Sequence, residues 1–473
     1  MNRPVATLFS LSLGLIVAGC KVGPNYQRPV VNTPASYRGA LAPDIAPAPS
    51  ATPLGAEKYT AVFTDPVLQG LIAEALKNNY DVKIAADRVL EQQAQLGITK
   101  AAQYPTLSIG GTYDALGLPS GLLGNSSSGS SSQTNYFAGG LTASVAWNLD
   151  FWGMYRRETE AARANLRATE WARQTTYSTL VQSVASSYYQ LRTLDAELEI
   201  TQQTLAARKQ SLALTQTLEE GGNTSLADVR QAEQLYYTAQ AEIPNLQSQI
   251  EQQENSLALL LGRDPGPIAR GQDIADMPHP ADVPVGLPSD LLERRPDVRR
   301  AEQLLVQANA NIGVARAQYF PQFSLSGTGG VSSSQLAGIV ASKNAYYYAI
   351  GSVSQPVFDA GKIRNNYRLA QAQHKELLDT YQQTIAGALR DVSNALIAYD
   401  KTREYREQQE KQTAAAQDAV RLARLRYNGG STSYLEVLTN DANLYSSQLT
   451  LEAAQQQEAL SLVQLYNALG GGW

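Results

Sequence analysis

The stretch EGGNTSLADV (Glu220–Val229) returns as NGGSTSYLEV (Asn428–Val437). Gly221, Gly222, Thr224, Ser225 and Val229 reappear 208 residues on as Gly429, Gly430, Thr432, Ser433 and Val437. Each copy interrupts a long run rich in Gln and Ala. Paired glycines stop a helix, because glycine takes the positive φ that ends one without steric cost. The Thr-Ser pair supplies N-cap hydroxyls for the next helix, and Asp228 or Glu436 falls in its first turns, where the helix dipole favours an acid. Both stretches therefore read as reversals of helical hairpins, made twice at the same far end of the molecule.

The duplication extends far beyond the turns. DVKIAADRVLEQQAQLGITKAAQYP (Asp81–Pro105) matches DVRRAEQLLVQANANIGVARAQYFP (Asp297–Pro321) at a constant offset of 216. LSIGGT at Leu107 matches FSLSGT at Phe323, and Asp150 and Gly153 correspond to Asp359 and Gly361. From Gly153 onward the offset is 208, the same as between the turns. Only the segment between paired strand candidates differs in length. In the first copy its tip reads GLLGNSSSGSSSQT, a solvated loop.

Each unit reads alike. A helix (65–103; 287–318) ends at a proline. Two strand candidates follow, 106–116 and 135–149 in the first unit and 322–332 and 345–358 in the second. In LTASVAWNL, Leu141, Ala143, Val145, Trp147 and Leu149 share one face, the period-2 pattern of a strand. Then come a very long helix, the glycine turn and a returning helix. Leu180, Val184, Ser187, Leu191, Leu194, Leu198, Thr201, Leu205, Arg208 and Leu212 step by four and three, a coiled-coil seam. At 1.5 Å per residue, a helix of about 65 residues spans roughly 100 Å, too long for a compact globule.

Four strands per chain pose a closure problem. Their length suits a membrane-spanning strand of about 9–11 residues. An open sheet in lipid leaves unpaired backbone groups at several kcal/mol each, and a closed barrel needs at least ~8 strands. In a membrane, several copies must then contribute to one barrel, eight strands from a dimer or twelve from a trimer; the alternative is a small soluble β-domain with aromatic core residues. Trp147, Phe151 and Trp152 stand where strand gives way to helix, as an interfacial aromatic girdle would.

The chain of 473 residues carries 43 acidic against 38 basic side chains, so it lacks the basic footprint of a nucleic-acid binder. Its single cysteine, Cys20, rules out an intrachain disulfide framework and a multi-cysteine zinc site. Residues 1–19 read as a signal peptide: basic Arg3, an apolar run, then Val17-Ala18-Gly19-Cys20, a bacterial lipobox that would leave a lipid on Cys20. Residues 20–56 hold proline after proline and read as an extended segment without a core. The first repeat is expected over 57–261, with a β-hairpin over 106–149 and a helical hairpin over 153–260. A linker covers 262–286. The second repeat runs over 287–465, with a β-hairpin over 322–358 and a helical hairpin over 361–465, before a tail at 466–473.

These pieces resemble a known family. Beside the lipobox and the KVGPNYQRP after it stand FDAGK, LLGRDPG, LLERRPDVRRAE, RYNGGSTSYLEVL and the closing LYNALGGGW. Together they resemble the outer-membrane factors of the TolC superfamily, in the lipoprotein branch serving tripartite RND-type efflux systems. The resemblance implies an α+β membrane protein, a homotrimer with a 12-stranded β-barrel (four strands per chain) continuous with an α-helical coiled-coil tunnel. It implies an outer-membrane lipoprotein, palmitate-bearing at Cys20, that conducts drugs or other small toxic compounds and so confers antibiotic resistance. Its partners would be a periplasmic adaptor and an inner-membrane pump. Type I protein secretion and metal-ion efflux use the same architecture and stay open. The hairpin ends, Gly221, Gly222, Thr224, Ser225, Gly429, Gly430, Thr432 and Ser433, would meet the adaptor. The periplasmic gate would fall to Arg426, Tyr427 and Leu435, with Asp228 as the neighbouring acid that Arg426 and Tyr427 hold. Where the family places an acid one turn beyond Leu435, this chain has Thr439, with Glu436 and Asp441 nearby.

No GxSxG, HExxH, P-loop or Cys/His cluster occurs, so no enzyme chemistry or cofactor is expected beyond the lipid. His279 and His374 read as ordinary surface residues.

Overall fold

The computed structural model describes residues 21–39, 53–118, 134–276, 283–334 and 342–473. Residues 1–20 with Cys20, the serine-rich tip of the first β-hairpin and His279 lie outside the described residues. The chain divides into two compact units, each drawing on both repeats. One comprises Met1–Pro29, Leu90–Ala168 and Glu302–Thr380; the other comprises Val30–Val89, Thr169–Ala301 and Tyr381–Trp473.

Two helices, α1 (Pro66–Asn78) and α2 (Tyr80–Ala101), occupy the stretch where the sequence suggested one over 65–103. The break is at Asn79, whose backbone is extended. Its side-chain oxygen accepts from the N–H groups of Asp81 (2.8 Å) and Val82 (3.2 Å), and its amide donates to the Leu260 carbonyl at 2.9 Å. Asn79 thus caps a new helix instead of continuing the old one. After strands β1 (Thr106–Leu118) and β2 (Thr134–Leu149) come the long helix α3 (Met154–Glu220) and the returning α4 (Leu226–Leu261). The second repeat breaks at the matching place. The helix expected over 287–318 is a short turn at Leu291–Arg294 followed by α5 (Pro296–Ala317). Pro296 forces Arg295 out of helical geometry. Strands β3 (Gln322–Ser333) and β4 (Ala345–Ser354) follow, then α6 (Lys362–Asn428) and α7 (Tyr434–Ala468).

Strand β4 ends four residues before the expected 358, since Pro356 has no N–H for a ladder. Two aspartates cap the strand-to-helix turns. Asp150 accepts from the N–H of Arg156 at 2.9 Å, and Asp359 accepts from those of Gly361 (2.8 Å) and Ile363 (2.7 Å). The second turn is one residue shorter. Ala360 absorbs the difference with a φ of 52°, the one positive φ outside glycine among the described residues.

In the first unit the strands form a single antiparallel sheet in the order β1-β2-β3-β4. Directly opposed residues share a face. One face is apolar: Leu107 opposes Val145, Leu141 opposes Val331, Trp147 opposes Leu325 and Phe323 opposes Val353. The other opposes Ser108 to Ser144, Ser144 to Thr328 and Ser324 to Ser352. Below the sheet, the Trp152 ring stacks on Phe320 with centroids 4.7 Å apart, and Phe151 meets Phe323 edge-on. In the second unit, all ten seam positions from Leu180 to Leu212 are buried or half-buried. Helices α3 and α6, which both begin in the first unit, each run for 67 residues.

Candidate functional site

The second unit carries both glycine turns, and they close with the same hydrogen bonds. In the first, Gly221 donates to Thr217, Gly222 to Glu219 and Asn223 to the Leu218 carbonyl. In the second, Gly429 donates to Leu425, Gly430 to Tyr427 and Ser431 to the Arg426 carbonyl. This is the Schellman closure, whose left-handed residue is Gly222 (φ 70°) or Gly430 (φ 72°). A Cβ on either would meet nothing within 4 Å, so conformation alone requires glycine there.

The restarts differ. Ser225 and Asp228 form a capping box, and Asp228 also accepts from the Thr224 hydroxyl at 2.8 Å. The Ser225 and Thr224 hydroxyls hold the Asp228 carboxyl below the ordinary range. At the second turn Ser433 makes no side-chain cap. Glu436, one methylene longer, accepts instead from the Thr432 hydroxyl and from Arg426, whose Nη1 lies 2.6 Å away. Within one chain, then, Arg426 is held by Glu436 of its own hairpin and not by Asp228, which is occupied as a cap. Tyr427 packs edge-on against Tyr434, with centroids 4.8 Å apart. Tyr434, Val437, Leu438, Ala423 and Ala232 form a small core that joins the two hairpins. Leu435 turns away from it and stays exposed, as does Leu425.

Beyond that core lies a contact absent from the expectations above. Arg208, one of the polar exceptions in the seam, is buried against Asp441 of the second hairpin, Nε to Oδ2 at 3.0 Å. Its Nη1 donates to the Leu235 carbonyl at 3.0 Å, and its guanidinium lies 5.0 Å from the Tyr445 ring centre. A cation at a seam position signals a buried acid opposite, but sequence alone does not say which. Thr439 donates back to the Leu435 carbonyl at 2.9 Å. The two acids that could stand in for the family's acidic position, Glu436 and Asp441, are therefore each paired with an arginine of the same chain.

In the first unit Arg157, wholly buried, holds the N-terminal strap. It donates to the carbonyls of Val22 (3.2 Å) and Gly23 (3.0 Å) and to the side chain of Asn25 (3.0 Å). The Val22 N–H bonds the Trp152 carbonyl at 3.1 Å, at the helix end of the sheet.

The repeat structure coincides with a double match to one family model, described as outer membrane efflux protein, over residues 71–263 and 287–471. The chain belongs to the outer membrane efflux protein family. Among relatives, it is 35% identical over 470 residues to the toluene efflux pump outer membrane protein TtgC of Pseudomonas putida, covering 99% of this chain and 96% of that one. It is 32% identical over 467 residues to the cation efflux system protein CusC of Escherichia coli O6:H1, covering 98% of each. A crystal structure of CusC superposes with a TM-score of 0.84 at 30% identity, over 96% of this chain and 100% of that one. The open MtrE outer membrane channel of Neisseria gonorrhoeae superposes at 0.83 and 28% identity, over 96% and 98%. This outer-membrane efflux protein thus has channels as its relatives. Among its described residues no helix is long and apolar enough to cross a membrane.

Proposed function

We propose that three copies of this protein close a twelve-stranded barrel in the outer membrane, continued into the periplasm by an α-helical tunnel, as the exit channel of a tripartite pump. The observation that carries the proposal is the exposed apolar face of a sheet with two open edges. Among the described residues Leu107 and Ile109 are largely exposed, and Leu141 and Val145 are about half exposed. Along β2, the eight steps from Trp147 to Gly139, which is opposite Tyr113, span about 27 Å of strand. At a tilt near 40° that is a band of about 20 Å, close to the apolar height of an outer-membrane barrel. Four strands cannot close alone, whereas twelve from three copies can.

The lipid on Cys20 is part of the proposal. Its support is the bond from Val22 to Trp152, which ties the next residues of the chain to the aromatic end of the sheet, where an interfacial lipid belongs. The glycine turns are the proposed adaptor contacts. A groove of about 700 Å³ beside the second turn, lined by Val420, Arg421, Arg424, Leu425 and Leu444, supports this role. The inner-membrane partner is an RND-type pump. At the gate, Leu435 narrows the aperture as an apolar ring, Tyr427 braces it, and Asp228 of a neighbouring copy competes with Glu436 for Arg426.

The cargo is small toxic organic compounds, the reading favoured by similarity to the toluene pump protein. Cation efflux is the second reading, favoured by similarity to CusC. Susceptibility of a deletion strain to dyes, detergents, solvents, antibiotics and copper or silver salts separates the two. Complementation restores export of the true cargo. A variant lacking Gly429 and Gly430 reaches the outer membrane but does not restore it. Loss of a secreted protein with no change in susceptibility overturns the efflux reading.

A further inference from the structure

The internal repeat carries the pairing of β2 with β3 over to the two edge strands, β4 and β1. Strand β3 corresponds to β1 at the offset of 216. Within the sheet β4 corresponds to β2 at 208. Val145 opposes Leu107, and Val353 opposes Phe323, the counterpart of Leu107. The strand seam between repeats, β2 against β3, therefore has a counterpart in β4 against β1. These two strands lie at opposite edges of the sheet, three strand spacings or about 14 Å apart. They can meet only between copies.

From this we infer the register of the seam between neighbouring copies: Gly351, Ser352, Val353 and Ser354 lie opposite Tyr113, Thr112, Gly111 and Gly110 of the next copy. The inference rests on the proposed barrel closure and goes beyond it. In the chain Ser144 opposes Thr328, with their hydroxyls 3.3 Å apart, and Val145 opposes Gly327. The offsets turn Ser144 and Thr328 into Ser352 and Thr112, and Val145 and Gly327 into Val353 and Gly111. Both pairs keep their residue types. The register also keeps the faces together. Val353 and Gly111 stay on the apolar face, and Ser352 and Thr112 on the polar one. A slip of two residues would preserve the faces but set Ser352 against Gly110 or Asp114, losing the hydroxyl pair. Beyond the end of β4, the same register brings Val357, 98% exposed in the single chain, opposite Leu107, 70% exposed.

The test uses paired cysteines in the full-length chain, oxidised in isolated outer membranes and run on denaturing, non-reducing gels. Thr112→Cys with Ser352→Cys is expected to give a reducible ladder of linked dimer and trimer, because directly opposed strand residues come within disulfide reach. Thr112→Cys with Ile350→Cys, and Thr112→Cys with Ser354→Cys, are each two residues off and are expected to stay monomeric. Ser144→Cys with Thr328→Cys is the internal control, closing within one chain and losing both free thiols. If a shifted pair cross-links in place of Thr112 and Ser352, the register is overturned while closure between copies stands. If no pair cross-links, the control closes and unheated samples run as monomer, the barrel proposal falls and the register with it. If no pair cross-links but the unheated oligomer persists, the register alone is overturned.

Discussion

Replacing Arg208 by alanine is expected to uncouple the two hairpins near the glycine turns. The guanidinium is 3.0 Å from Asp441 and from the Leu235 carbonyl, and its side chain is 3% exposed. Truncation strands the Asp441 carboxylate, 15% exposed, takes a donor from Leu235 and removes the cation over Tyr445. Deleting one partner of a buried ion pair costs about 3–5 kcal/mol. The residual water access of Asp441 puts this case at the lower end, about 3 kcal/mol. At about 1.4 kcal/mol per decade, the opened form becomes roughly 150-fold more populated. Hydrogen exchange read by mass spectrometry resolves this, with the loss of protection confined to peptides around Leu235 and Asp441. Arg208→Met with Asp441→Leu replaces the pair by apolar groups of similar bulk. It should recover most of the protection, because such swaps are near neutral once no lone charge remains. Unchanged exchange in Arg208→Ala, or a double variant as labile as the single one, would refute this account of how the hairpins are held.

Three further outcomes follow from the geometry. Gly222→Ala and Gly430→Ala each force an L-residue into the left-handed region with no clash, so each should cost about 1–2 kcal/mol locally and raise amide exchange at that turn while the helical content by circular dichroism stays constant. Arg157→Ala removes the guanidinium donors that hold Val22, Gly23 and Asn25; limited proteolysis of isolated outer membranes should then cut within residues 21–29 faster than in the parent. Burial first, then the charges of Glu197, Asp273 and Glu199, push the Glu452 carboxyl up to about 7. The folded chain therefore holds this proton more tightly than an unfolded one, and the stability it contributes is complete below about pH 4.5 and lost as pH rises towards about 7. Glu452→Gln should narrow the difference in melting temperature between about pH 5 and pH 8, and an unchanged difference would show that this carboxyl does not carry the proton.

Element type and order were legible because periodicity is local. The two glycine turns, the alternation in LTASVAWNL and the seam from Leu180 to Leu212 each encode their structure within a few residues. The helix breaks were less legible. Pro296 marks one openly, but Asn79 breaks the first repeat only through bonds to Asp81, Val82 and the distant Leu260. At the candidate site the turn chemistry could be read and the ion pairing could not. Asp228 and Glu436 occupy equivalent positions, yet one methylene sends the first to its own cap and the second to Arg426.

By itself, then, the sequence determined the duplication, the hairpins and their turns, and strands with one apolar face, since all of these follow from spacing along one chain. Tertiary structure decided which charges meet, Arg208 with Asp441 and Arg426 with Glu436. It also decided that β2 lies against β3, so that the repeats share one sheet with two open edges. Those outcomes depend on distances between residues far apart in the chain, where a single methylene or a two-residue slip changes the partner and leaves the local pattern untouched.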